Sequence, residues 1–145
     1  MGYRVREVDG TKHTDIIRAL QDKSGYVKSE IKTPADGQLW WIVYHDKEPV
    51  GCAALLHSEA DTDVDLGILT RAAVLPEHWG KGLQRRLIRV RTRAARKLGW
   101  QMCVSTTYNN PVSANNLIAC GFRQYTPATR YMAEGTDYWL LRLGR

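Results

Sequence analysis

One stretch of this chain combines residue types suited to holding a charged ligand: Ala72-Ala73-Val74-Leu75-Pro76-Glu77-His78-Trp79-Gly80-Lys81-Gly82-Leu83-Gln84-Arg85. An apolar run ends at Val74, two glycines follow, and a helical pattern begins at once. The N-terminus of a helix exposes backbone N–H groups without intrahelical partners, together with the positive end of the dipole. Both suit a pyrophosphate. Glycines there let the backbone approach without a Cβ in the way. Lys81, Arg85 and Arg86 add positive charge. Two phosphate motifs do not fit. The string G-x-x-x-x-G-K-[ST] is absent, and Arg85 stands where G-x-G-x-x-G needs its last glycine. Two glycines also serve any tight strand-to-helix turn, so the segment is read with its surroundings.

The elements around it follow from hydrophobic periodicity. Leu83, Leu87, Val90, Ala94 and Leu98 recur at three- and four-residue intervals, which predicts a helix over Gly82–Leu98 with Gly99 as its stop. The arginines between them read as its solvated face. Leu66–Val74 before it and Trp100–Thr106 after it read as strands, which the helix would join as a right-handed crossover. Tyr3–Val8 is a first strand, and Thr14 can cap a helix through Ile16, Ile17 and Leu20 that ends at Ser24-Gly25. Leu39–Tyr44 and Val50–Leu56 predict a hairpin about the turn His45–Pro49. Tyr26–Gly37 reads as a loop or a short irregular helix, the acidic Ser58–Asp65 as a loop, and Ser113–Cys120 as a short helix closed by Gly121. Arg123–Thr126 and Tyr138–Leu143 are the last strands. The expected fold class is α/β: a single domain over residues 1–145, with a central mixed, mostly antiparallel twisted sheet of about seven strands flanked by helices.

Composition narrows the partners. Hydrophobic residues make up 43% and charged residues 25%, ordinary globular usage. No apolar run reaches the ~20 residues of a membrane span. Met1–Arg6 lacks the apolar stretch of a secretory signal, so no membrane partner and cytoplasmic residence are expected. Cys52, Cys103 and Cys120 form no CxxC pair and have no His at zinc-ligand spacing; they read as three buried thiols, with no metal. The net charge of +6 favours an anionic partner: nucleic acid, a membrane surface or a phosphorylated cofactor. Trp40, Trp41, Trp100 and Trp139 read as core or its rim.

With those elements in place, Val74 to Ile88 (VLPEHWGKGLQRRLI) resembles the coenzyme A-binding signature of the GNAT superfamily of N-acetyltransferases. There a valine-ended strand and a proline precede a [Q/R]-x-x-G-x-[G/A] turn that opens a long helix. Asn110 to Phe122 (NPVSANNLIACGF) is similar to the second motif of that family, in which an Asn begins a short helix, a small residue follows three later and Gly-Phe closes it. The order of elements matches over nearly the whole chain. The departures are Glu77 for the usual Gln or Arg, Trp79 for a common Arg and Gln84 for a frequent third glycine. Leu117 replaces a frequent Tyr beside the cofactor sulfur, and Ile68 a frequent Glu base.

The resemblance implies acetyl-CoA as cosubstrate and direct transfer of its acetyl group to a primary amine. The pantetheine arm would lie between two parting parallel strands, against Ala72, Ala73 and Val74. Trp79, Gly80, Lys81, Gly82, Leu83, Gln84 and Arg85 would hold the pyrophosphate, and Asn110, with Ser113, the pantetheine. The N–H of Val74 would polarise the acetyl carbonyl. An alkyl ammonium, with a pKa near ~10.4, must lose a proton before attack, and the departing thiolate must gain one. Asp65 is the leading base candidate, with Asp63, Glu59 and His57 beside it; Tyr108 is the acid candidate, with Ser113, Tyr125 and Tyr131 as rivals. The acidic loop Glu59, Asp61, Asp63 and Asp65 predicts a cationic acceptor, a small molecule or a peptide. Two other function classes stay open: a nucleic-acid-binding module using the basic helix, and a catalytically degenerate acyl-CoA sensor. The helix lacks the interleaved aromatics of single-strand binders. A homodimer is compatible with the sequence.

Overall fold

In the computed structural model, which describes residues 2–58 and 64–144, apolar runs in the first half build an antiparallel meander. It consists of β1 (Tyr3–Val8), β2 (Leu39–His45), β3 (Glu48–Ser58) and β4 (Leu66–Val74). Helix α1 (Thr14–Lys23) lies between β1 and β2. Helix α2 (Leu83–Lys97) carries the chain from β4 to β5 (Met102–Thr107), and a crossover of that kind makes the pair parallel. Helix α3 (Pro111–Ala119) follows, then β6 (Arg123–Tyr125) and β7 (Asp137–Arg142). The sheet order is β1-β2-β3-β4-β5-β7-β6. This is the expected seven-stranded mixed sheet with flanking helices.

Both faces of the sheet are covered. Leu83, Leu87 and Ile88 of α2 pack with Trp41, Val43, Leu55, Leu69 and Val74 on one face. Ile17 and Leu20 of α1 pack with Trp40, Ile42, Cys52, Ala54 and Ala73 on the other. Double coverage explains why Trp40–Val43 is a continuous apolar run rather than an alternating one.

Two irregularities shape the sheet's centre. First, β4 and β5 pair only at Leu66↔Met102, Gly67↔Cys103 and Ile68↔Val104, and then part. Ser105 Oγ donates to Leu69 O at 3.1 Å just past the last pair, a side-chain bond where the backbone ladder has stopped. Second, Ala54 faces Thr70 while Cys52 faces Ala73, so Arg71 and Ala72 together oppose Ala53. That is a β-bulge, and Arg71 adopts the left-handed conformation with φ 58°.

Several expectations are corrected. Arg91 is 2% exposed rather than on a solvated face, whereas Leu98 is exposed. The cause is helical spacing, since position 91 stacks four residues from both Leu87 and Ala95. Cys52 and Cys103 are buried free thiols, but Cys120 is only half-buried. Thr14 lies inside the first turn of α1, and Asp9 instead caps a short 3-10 turn before it. Tyr26–Gly37, expected as a loop or a short irregular helix, is irregular apart from a 3-10 turn at Lys28–Glu30. Among the described residues, no helix is long and apolar enough to cross a membrane.

Candidate active site

Where β4 and β5 part, a cavity of about 870 Å³ opens between them. Leu69–Val74 forms one wall and Ser105–Thr107 the other. Because the gap runs through the sheet, elements from both faces line it. The glycine turn and the starts of α2 and α3 contribute from one face. Ser24 and Tyr26, just after α1, contribute from the other.

The glycine turn is open toward this cavity. Gly80 and Gly82 both have φ 76°, and a Cβ on either would meet nothing within 4 Å. Gly82 is the N-cap of α2 and supplies no side-chain cap, and the first turn carries no acidic residue. The first helical bond runs from Arg86 N to Gly82 O at 3.0 Å. The amides of Leu83, Gln84 and Arg85 therefore have no intrahelical partner. Arg85 Nε donates to Asn116 Oδ1 at 2.9 Å and ties α2 to α3. Asn110 Oδ1 caps α3 by accepting from Ser113 N at 3.0 Å.

Most of the residues expected to hold a cofactor meet here. Ala72, Ala73, Val74, Trp79, Gly80 and Gly82 line the cavity, as do Leu83, Gln84, Arg85, Asn110 and Ser113. Lys81 does not, and Arg86 turns away to donate to Tyr3 O at 3.1 Å. The carbonyls expected to pair with a cofactor arm already carry side-chain bonds. Tyr26 Oη donates to Ala72 O at 2.6 Å, and Trp79 Nε1 donates to Val74 O at 2.8 Å. Leu75 N donates to Val50 O at 2.9 Å, so by strand alternation the N–H of Val74 points away from β3, into the gap. The oxygen of Asn110 holds the cap, and its side-chain amide N–H groups have no acceptor among the described residues and can serve a ligand.

Of the described acid–base candidates only Ser113 joins them. Asp65 precedes the first residue of β4, at the end opposite the parting. Its Oδ1 lies 2.9 Å from His57 Nε2, and that ring stacks on Trp100 at 4.6 Å. Asp65 and His57 are absent from the cavity wall. Tyr108 follows β5, is 58% exposed and does not line the cavity either. Tyr125 and Tyr131 pack against Tyr138. Glu59, Asp61 and Asp63 fall outside the described residues. Among the described residues no Asp or Glu lines the cavity, and no group of three metal-ligating side chains occurs.

The structure adds residues that sequence reasoning missed. Arg91 donates through Nε to Leu87 O at 3.0 Å and through an Nη to Ala54 O at 3.1 Å and Thr70 O at 3.5 Å. Burial pushes its pKa down to about 10, still protonated at neutral pH. Burial likewise pushes the Tyr26 hydroxyl and the Cys52 and Cys103 thiols up to about 12. Arg71 lines the cavity from the bulge with one guanidinium nitrogen buried and without a hydrogen-bond partner. The spacing of Leu87, Arg91 and Ala95 was a signal for Arg91. Nothing in the local sequence marks Arg71 or Tyr26, whose contacts are long-range.

The sheet order, the parted parallel pair and the open helix terminus define an acyl-CoA N-acyltransferase fold. Residues 36–124, more than half of the chain, match the acetyltransferase (GNAT) domain. The chain belongs to the GNAT acetyltransferase family. A GNAT-family protein from Desulfovibrio desulfuricans is similar at a TM-score of 0.80 and 16% identity, over 99% of this chain and 100% of that one. The ribosomal-protein-S18-alanine N-acetyltransferase of Escherichia coli is similar at 0.78 and 14% identity, over 99% and 96%. A chain of the NatC complex bound to Gag peptide and CoA is similar at 0.75 and 15% identity, over 99% and 100%. No curated protein matches the chain in sequence.

Proposed function

We propose that this chain is an acetyl-CoA-dependent N-acetyltransferase that moves the acetyl group directly to a primary amine. The observation that carries this reading is the uncapped N-terminus of α2, which opens into the cavity between the parted strands. The amides of Leu83, Gln84 and Arg85, with the two glycines, would receive the pyrophosphate, and Arg85 would add a charge. The gap edge of β4 would receive the arm. An arm that pairs with Val74 O displaces the indole of Trp79. The N–H of Val74 stays directed at the gap, where it would stabilise negative charge developing on the thioester oxygen. The amine nitrogen bonds the acetyl carbon and gives up a proton, the C–S bond breaks, and the departing thiolate takes up a proton, so that the amide and the free thiol are both neutral at the reacting atoms.

On the basic helix Arg91 is buried and Arg85, Arg86 and Arg96 donate within the protein, the last to Leu143 O at 3.2 Å, while Arg89, Arg93 and Lys97 are exposed. Of the acidic segment that suggested a cationic acceptor, Glu59, Asp61 and Asp63 fall outside the described residues, and Asp65 does not line the cavity. The basic side chains that line it are Arg71, His78, Arg85 and Arg91.

The test is thiol release from acetyl-CoA with a panel of primary amines, in wild type and in Gly82→Asp. A Cβ at Gly82 meets nothing within 4 Å, but φ 76° strains any L side chain by roughly 1–2 kcal/mol, so the fold of the variant is checked by circular dichroism before binding is measured. Its carboxylate faces the pyrophosphate position and should weaken cofactor binding at least about tenfold. Undiminished affinity in the folded variant would remove the glycine turn from the site. Tight cofactor binding in wild type without turnover on any amine would make the chain a sensor instead.

A further inference from the structure

Two unfavourable features coincide at Arg71. Its backbone is left-handed at φ 58°, a conformation that costs a non-glycine residue roughly 1–2 kcal/mol. One of its guanidinium nitrogens is buried with no hydrogen-bond partner. Arg71 as a residue is half-buried, and it is this one nitrogen that is withdrawn from water; a donor so withdrawn normally finds a carboxylate or a carbonyl. Arg91, also in this wall, has done so, with three carbonyls around it. Arg71 has not. It makes no ion pair with a described residue, and no described Asp or Glu lines the cavity. Glu30 is near enough to influence Tyr26 but is itself exposed. The bulge is what aims Arg71, because the extra residue turns it out of the strand's alternation and into the cavity wall.

We propose that Arg71 is the docking point for a carboxylate on the acceptor, so that the acceptor is an amino acid-like molecule carrying its reactive amine a few bonds from that carboxylate. This rests on the acetyltransferase reading above and names its substrate class. Position separates this anion from the cofactor's. The pyrophosphate belongs at the glycine turn and the start of α2, whereas Arg71 stands on the β4 wall and electrostatically influences Tyr26, from the α1 side. The planar guanidinium fork matches a carboxylate with two parallel N–H···O bonds. Binding would give the orphaned nitrogen its acceptor and anchor the amine within the gap, toward the N–H of Val74.

The experiment measures binding to the CoA-loaded protein by calorimetry, so that turnover is not required. The probes are the common α-amino acids, β-alanine and γ-aminobutyrate, each paired with its carboxamide. They are tested against wild type, Arg71→Lys and Arg71→Gln. The expected result is that at least one acid binds wild type roughly tenfold or more tighter than its amide. The preference should shrink in Arg71→Lys and vanish in Arg71→Gln, with CoA affinity unchanged in both. An acid–amide preference that survives Arg71→Gln would overturn the proposal. So would equal binding of acids and amides, or no binding of any acid at millimolar concentration. Loss of CoA affinity in both variants would assign Arg71 to the cofactor instead and overturn it too. If wild type fails to bind CoA at all, the acetyltransferase reading falls first. CoA binding without acid preference defeats only the present inference.

Discussion

Arg91 holds a buried positive charge in the middle of α2, and backbone carbonyls from β3 and β4 take the place of a carboxylate partner. It thereby joins the helix to the strand that forms the cavity wall. Arg91→Met keeps the stem but leaves the carbonyls of Ala54 and Thr70 without this donor. Leaving buried acceptors unpaired costs ~1–3 kcal/mol each, so a loss of about 2–4 kcal/mol is expected in chemical denaturation. Wild-type stability in that variant would show the bonds to be dispensable. A second residue-scale expectation follows from the lack of a described carboxylate in the cavity wall. Without such a base, the rate should track the neutral fraction of the amine. With an ammonium pKa near ~10, log kcat/KM then rises by about one per pH unit from neutrality upward. A plateau beginning near pH ~7 would instead reveal a protein base. Side chains were the least legible level. Arg71 and Tyr26 owe their places to partners far along the chain, whereas the burial of Arg91 was signalled only by its helical spacing from Leu87 and Ala95.

At the scale of elements, the start of α3 depends on Asn110, whose oxygen accepts from Ser113 N. Asn110→Ala should cost about 1 kcal/mol through loss of the cap. It should also weaken acetyl-CoA binding, because the cap holds Ser113 and Asn116 at the cavity edge. A stability loss with unchanged affinity would limit Asn110 to the cap. The elements themselves were largely legible. Leucines at helical spacing between Gly82 and Gly99 marked α2 to within a residue at either end. The aromatic and β-branched run Leu39–Tyr44 marked β2, whereas α3 spans Pro111–Ala119, starting two residues before the expected Ser113 and ending one before the expected Cys120. The bulge in β4 was not legible, since Thr70-Arg71-Ala72 contains no glycine and no turn residue. Its conformation comes from pairing with β3 on one side and loss of β5 on the other.

For the molecule as a whole, the interior keeps protons that the unfolded chain would release. Cys52 and Cys103 have pKa values raised by burial from 9.0 to about 12. Between those limits the native state binds more protons than the unfolded state, so stability falls as pH rises, and is fully present below about pH 9. Arg91, pushed down to about 10, acts with the opposite sign above that pH. The fall should therefore be clearest between about pH 9 and 10. Thermal midpoints measured across this window should decrease, and a flat or rising series would contradict the burial of the thiols. The same burial predicts that, in the native protein, alkylation reaches Cys120 before Cys52 or Cys103. The whole arrangement positions one feature, the open start of α2 beside the parted strands. Calorimetric titration of the wild-type chain with acetyl-CoA tests it most directly. One equivalent should bind per chain, with a change in tryptophan fluorescence as Trp79 leaves Val74. Absence of binding at millimolar acetyl-CoA would contradict the account.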